Sequence, residues 1–467
     1  MFNENLHSPQ SFGATPMGIG RPSGPPHAPK GTLLRVHPKE HTDLEVLRRQ
    51  CRQAARNGPG EEDPPLPQAL ERDAAQLGPF TRWGASQGIQ YASVGPRHEP
   101  RVYSGRVYLP AGRRRGPAEA PLLILVHGLE LVRNEVPFFN FGPEAALGAL
   151  AAYLGGFVVA MSDLPRLGLD PSPGPHPFCH AQSLADCILD MVEPALESLD
   201  PARHQWDGRL FIAGYSAGGY GALAAVREAQ RNPAYAHIKV TAAACMGGPF
   251  HFHEAIRGWI TETATPYSRP YIQTYLVHAY HDLHRETGLF HPSRALHPAL
   301  LEVRRNGRLD DGSLLHWLNG CLPGPAISPR IRLRLKGSPD TPMAAYEALN
   351  PEWVQTQFLA PDWPDTPVGR ILRENDLVAG WEPQAPMFLA ASPADECVDW
   401  RNTQELMRAW QAAGCRAPVA FRPLTWRGAG LDHRRGGLMA LLKAIWWLRS
   451  GAWEDQETAS TLLRMVP

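Results

Sequence analysis

The seven cysteines among the 467 residues, at positions 51, 179, 187, 245, 321, 397 and 415, lack any C-x-x-C spacing. An odd count scattered through predicted core segments argues for reduced thiols and against a disulfide framework. Lysine is scarce, with five residues, and the 46 basic residues are balanced by 46 acidic ones. No net basic field therefore exists to hold nucleic acid or an anionic membrane surface. No phosphate loop or dinucleotide fingerprint occurs, so no cofactor is expected. Long apolar runs are lacking as well. Ala145–Met161 is uncharged and largely apolar, but Gly155-Gly156 divides it into a helix-like and a strand-like half, too short for an integral membrane segment. Met1–Lys30 shows no basic segment followed by an apolar run, so no export signal is visible and a cytoplasmic protein is expected.

What is present is a globular balance, 43% hydrophobic and 20% charged, in a chain long enough for a large domain with insertions. Residues 1–32, with six prolines and five glycines, read as a disordered tail. Residues 33–87 read as a helical extension, with amphipathic segments at His41–Asn57 and Leu66–Leu77. From about Gly88 the pattern turns to strands, Ile89–Val94 and Arg101–Leu109. The continuous apolar run Pro121–Val126 is then followed by helix 143–154, strand 157–162, helix 180–198, strand 209–214, helix 217–230 and strand 238–245. Strands alternating with helices at this spacing predict a doubly wound, mostly parallel sheet covered on both faces. The alternation stops at residues 250–385, where helical pieces at 267–285, 295–305 and 340–358 suggest a mainly helical cap or lid insertion. It resumes over 386–455 with strand 385–391, helix 401–413, strand 418–424 and helix 435–449, and residues 456–467 form a C-terminal tail.

Within Arg209–Ala225 the pentapeptide Gly214-Tyr215-Ser216-Ala217-Gly218 matches G-x-S-x-G. By composition the chain should produce roughly 0.16 such matches by chance. A second one, Gly84-Ala85-Ser86-Gln87-Gly88, does occur. Context separates them. Ser216 follows an apolar strand and opens an Ala-rich helix, the setting of the α/β-hydrolase nucleophile elbow. Ser86 follows no apolar strand and leads into an alternating segment.

A serine hydroxyl needs a histidine to take its proton and a carboxylate to fix that histidine's tautomer. On this fold the order is serine, acid, histidine. Asp395, just past the strand at 385–391, is the expected acid, with Glu396 and Asp399 as alternatives. His433, in the Gly-rich segment Gly428–Gly437, has no histidine after it and is the expected base. The oxyanion needs two backbone donors. Ala217 N–H is one, and Leu129 N–H, after His127-Gly128, is the expected second, with Glu130 as fallback.

Ser162-Asp163-Leu164-Pro165-Arg166-Leu167-Gly168-Leu169-Asp170, then Gly174-Pro175 and His176-Pro177-Phe178-Cys179-His180-Ala181, resemble the D-Y-x-G-L-G and H-P-Y-x-H-A segments of the secretory-lipase group of α/β-hydrolases. Leu372-Arg373-Glu374-Asn375-Asp376-Leu377, before Trp381-Glu382-Pro383, is similar to that group's return from the lid. The resemblance covers about residues 90–450. It implies ester hydrolysis, a helical lid and an acyl-binding tunnel beneath it. The group's usual Thr after His-Gly is absent here. The expectation is thus a carboxylic-ester hydrolase acting on a small-molecule or lipid ester. A serine peptidase, amidase or acyltransferase of the same fold is the first alternative, and a non-catalytic binding protein the second. The 19 histidines include the clusters His251-Phe252-His253-Glu254 and His278, His281, Asp282, His284, but neither matches a linear zinc motif, so no metal is expected.

Overall fold

In the computed structural model, residues 28–43, 83–110, 117–130, 133–139, 142–261, 269–298, 301, 348–426 and 428–454 are described. Apart from a two-residue hairpin pair at 425–426 and 429–430, their strands are β1 (Leu33–Val36), β2 (Glu40–Asp43), β3 (Trp83–Val94), β4 (Pro100–Leu109), β5 (Ala118–Val126), β6 (Val158–Ser162), β7 (His204–Tyr215), β8 (Ala242–Met246), β9 (Met387–Ala391) and β10 (Val419–Pro423). They form one sheet in the order β1-β3-β4-β6-β5-β7-β8-β9-β10, with β2 also on β3. The six strands from β6 to β10 run parallel, and β1 to β4 join antiparallel. The parallel strands are the ones read most easily from the sequence. Both of their faces are covered, so VVAMS, AAACM and MFLAA are buried at every position.

Between the central strands lie α1 (Gly142–Gly155), α2 (Ala181–Leu189), α3 (Val192–Glu197) and α4 (Ala217–Arg231). Between β8 and β9 come α5 (Phe252–Thr261), α6 (Arg269–Leu283), α7 (Pro292–Ala295), α8 (Pro351–Gln357) and α9 (Pro367–Arg373). Then follow α10 (Arg401–Ala413) and α11 (His433–Ser450). The period of two along each strand divides the interior. Leu122, Ile124, Val126, Leu210 and Ile212 join the core under α2, α3 and α4. Leu123, Leu125, Phe211, Ala213 and Tyr215 join the core under α1 and α11.

Three sequence expectations change. The described part of 33–87 is strand, not helix: His41 begins no helix but pairs with Ala85, and β3 is continuous from Trp83. β2 (EHTD) is polar throughout and too short to show an alternation, which is why the helical reading competed. The helix expected at 180–198 is two helices, separated at Asp190-Met191. The strand expected at 209–214 extends back to His204. The tail before residue 28, the segment 44–82, most of 299–347 and the residues after 454 lie outside the described set. No helix among the described residues is long and apolar enough to cross a membrane; the uncharged stretch 145–161 is α1 followed by β6.

The strand order reverses at β5, which has β6 on one side and β7 on the other. In doubly wound sheets, ligands bind outside the carboxyl ends of the strands at such a reversal. Val126 and Gly214 are register partners there, so the turns after them, His127-Gly128-Leu129 and Ser216, are neighbours.

Candidate active site

Ser216 links the end of β7 to the start of α4 with φ 59° and ψ −130°. A non-glycine residue held there costs on the order of 1–3 kcal/mol and persists only where its surroundings enforce it. They do so on both sides. Ser216 N–H donates to the Met246 carbonyl at 2.9 Å, and its own carbonyl accepts from Tyr220 N–H at 3.0 Å. A Cβ on Gly218 would collide with the carbonyl oxygens of Val126 and His127, so the helix can sit this close to β5 only with glycine there.

The structure brings Ser216, His433 and Asp395 together. His433 Nε2 lies 2.8 Å from Ser216 Oγ, and His433 Nδ1 lies 2.9 and 2.8 Å from the two Asp395 oxygens. Asp395 is almost fully enclosed, its side chain 1% exposed. Its Oδ1 also accepts the N–H groups of Cys397 (2.9 Å) and Val398 (2.8 Å), so it holds its orientation whether or not His433 is charged. Burial alone would lower the His433 pKa; the Asp395 carboxylate outweighs it, and the net shift is upward.

The alternatives have other engagements. Asp399 pairs with Arg401. Glu396 accepts the backbone N–H of His433 at 2.9 Å and so fixes where the residue sits, without touching its ring. Asp432 caps α11 by accepting Arg435 N–H at 2.8 Å. His433 is accordingly the first residue of a helix, where the sequence suggested a loop. Ser86 is buried within β3, its Oγ accepting from Arg106 at 2.9 Å.

Two residues near the site carried no sequence signal for it. Tyr215, the variable position of the elbow, donates its hydroxyl to Asp395 Oδ2 at 3.0 Å, with His433 Nδ1 3.4 Å away. Its ring lies against Gly436 and Gly437, where a Cβ on Gly437 would come within 2.8 Å of it. Glu144, in the first turn of α1, accepts Gly128 N–H at 2.8 Å and fixes the turn after β5. Burial raises the Glu144 pKa to about 7 against the Gly128 hydrogen bond and the nearby His433. Burial, Glu144 and Glu135 raise Glu130 to about 8. With Gly128 N–H occupied, Leu129 N–H has no hydrogen-bond partner among the described residues, and Ala217 N–H opens α4.

The motif segments that resemble the lipase group meet in space. Asn375 Oδ1 accepts Ala181 N–H at 3.0 Å, and Arg166 pairs with Asp282 of α6 at 2.5 Å. At the other side Trp259 of α5 donates to the Cys397 carbonyl, bringing the insertion against the Asp395 loop. Phe178 stacks on Trp259 and meets Phe252 and Tyr275 edge-on.

No family model and no curated protein matches this chain. Solved structures do. The rice cell wall degrading esterase LipA from Xanthomonas oryzae is 20% identical with a TM-score of 0.62, covering 93% of this chain and 99% of its own. A hydrolase-like protein from Legionella pneumophila is 18% identical with a TM-score of 0.63, covering 84% and 95%. Candida antarctica lipase A is 15% identical with a TM-score of 0.57, covering 91% and 83%. Together with the sheet topology, these likenesses show an α/β-hydrolase fold.

Proposed function

We propose that this α/β-hydrolase is a serine carboxylic-ester hydrolase, an esterase or lipase that works through an acyl-enzyme. The observation that carries the reading is the unbroken chain Ser216 Oγ, His433 Nε2, His433 Nδ1, Asp395, with every link at 2.9 Å or less. Ser216 Oγ attacks the ester carbonyl carbon while His433 Nε2 takes its proton. The resulting oxyanion accepts from Ala217 and Leu129 N–H. Collapse of this intermediate breaks the bond to the alcohol oxygen, which receives the proton from His433. Water, deprotonated by His433 Nε2, then attacks the acyl carbonyl carbon; the bond to Ser216 Oγ breaks, Oγ takes the proton back from His433, and the acid leaves. Asp395 holds Nδ1 protonated throughout, so Nε2 is the basic nitrogen.

The helices between β8 and β9 act as the lid in this reading, and their Phe252, Trp259 and Tyr275 pack with Phe178 in a buried aromatic cluster. Small-molecule or lipid esters are the substrate class. The test is hydrolysis of p-nitrophenyl esters of increasing chain length by the wild type and by Ser216→Ala, with fluorophosphonate labelling of both. Wild-type turnover and labelling, both lost in the variant, are expected. Full activity in Ser216→Ala would refute the assignment.

A further inference from the structure

His251 stands directly before α5 and His253 lies in its first turn, whereas Asp376 follows α9 as the chain returns toward β9. The separation of 123 residues between His253 and Asp376 hides this grouping from any linear motif. One donor atom from each of the three residues lies within 4.8 Å of the others. Among the described residues the only other such group is Asp395, Cys397 and His433, around the catalytic histidine.

Each imidazole turns one nitrogen toward the same Asp376 oxygen and the other toward a separate carboxylate. His253 Nδ1 is 2.5 Å and His251 Nε2 3.9 Å from Asp376 Oδ2. The outer nitrogens face Glu254 Oε1 (His253 Nε2, 3.2 Å) and Glu405 Oε2 (His251 Nδ1, 2.7 Å). Histidines that ligate metals are held in this way, with the far N–H on a carboxylate that fixes the tautomer and raises ligand basicity. The backbone is tied at the same place. His253 N–H donates to Asp376 Oδ1 at 3.0 Å, Leu377 N–H to the Phe250 carbonyl at 2.8 Å, and His251 N–H to Asn402 of α10 at 2.7 Å.

We propose that His251, His253 and Asp376 form a binding site for a divalent cation of the zinc class, with water completing the coordination on the partly exposed His251 side. Without the ion, His253 Nδ1 is hydrogen-bonded to Asp376 Oδ2, and the ion takes the place of that hydrogen bond. Zinc–ligand bonds of about 2.0–2.2 Å put tetrahedral ligand atoms roughly 3.4 Å apart. The 3.9 Å pair then closes by about half an ångström and the 2.5 Å pair opens by about one, both within reach of small side-chain rotations. The ion joins the first and last turns of the insertion and, through Glu405, fastens both to α10. It is a staple at the root of the insertion, sharing no residue with the hydrolytic site.

The test uses the full chain, stripped with chelator, equilibrated with zinc and dialysed, alongside His251→Gln, Glu405→Gln and, to remove binding at the triad, His433→Ala. Metal content, thermal unfolding and the visible spectrum of the cobalt form are read. The expected result is one zinc per chain in wild type and in His433→Ala, a rise in Tm of about 5 °C, and tetrahedral cobalt bands. His251→Gln, with a metal-free Tm near wild type, should lose all three signals. Glu405→Gln should bind 10–100-fold more weakly. No retained zinc in wild type would overturn the proposal, as would zinc retention and Tm gain unchanged in both His251→Gln and Glu405→Gln.

Discussion

Replacing Tyr215 by phenylalanine removes one oxygen atom and leaves the ring that fills the space beside Gly436 and Gly437. The lost group is the donor to Asp395 Oδ2, 3.0 Å away in a site closed to solvent. Hydrogen bonds to charged groups contribute about 1.5–3 kcal/mol net. Asp395 keeps two backbone N–H donors and the imidazole, so the loss falls at the low end. A loss of about 1.4 kcal/mol through a less well oriented Asp395–His433 pair, outweighing the gain from a more basic carboxylate, is a tenfold fall in kcat. KM should hardly change, because the hydroxyl is turned toward Asp395 and not toward the substrate.

The pH profile separates this role from packing. In the proposed mechanism His433 acts as a base only when neutral, so activity should rise with pH through its raised pKa. With one donor fewer, the Asp395 charge is less dispersed and holds the imidazolium more firmly. The acid limb of kcat/KM in Tyr215→Phe should therefore move to higher pH. The assay is p-nitrophenyl butyrate hydrolysis from pH 5 to 9, with thermal unfolding as the fold control. Wild-type kcat with an unmoved acid limb in Tyr215→Phe would refute the positioning role. Tyr215→Ala, by contrast, should cost about 3–5 kcal/mol of stability through the cavity it leaves.

Asp395→Asn should lower kcat by about 10⁴-fold with little change in KM, since the imidazole then adopts the wrong tautomer; single-turnover kinetics would show the loss in acylation. Glu144→Ala should lower kcat by releasing the Gly128 turn, while Glu144→Gln, still able to accept Gly128 N–H, should retain most of it; comparing their kcat values decides the point. Glu144 and Glu130 take up protons on folding at pH values where the unfolded chain has lost them, so their protonated forms favour the fold at low pH and that contribution falls as pH rises toward about 7 and 8. The wild-type Tm should accordingly decline between pH 5 and 8, and the decline should be shallower in Glu144→Gln, as read by calorimetry. Ser86→Ala should keep full esterase activity in the same ester assay, because its hydroxyl serves Arg106 inside the sheet.

How much of this could be read in the sequence follows from what each residue answers to. Strands β5 to β9 were legible because burial on both faces leaves unbroken apolar runs, and the strand–turn–helix around Ser216 because its geometry admits only glycine at Gly218. The edge strands β1 and β2 were not, since each is only four residues long, LLRV and EHTD, and is placed by backbone pairing to β3. His433 was singled out and does lie beside Ser216 and Asp395, but its setting was misread for an instructive reason. Gly436-Gly437 looked like loop chemistry, yet both residues are helical and buried in α11. They are small because the Tyr215 ring lies against them, and that ring belongs to the elbow. A glycine pair thus recorded a side-chain contact across some 220 positions, between Tyr215 and α11, where the backbone signal suggested a turn. The same tyrosine ties the helix carrying His433 to the strand that ends at Ser216 and to Asp395 between them. Substitutions at Gly437 should therefore act on catalysis through Tyr215: Gly437→Ala, which crowds the ring, should lower kcat in the Tyr215 background and much less in Tyr215→Ala, where space is free. Equal losses in both backgrounds would show that Gly437 serves only the helix.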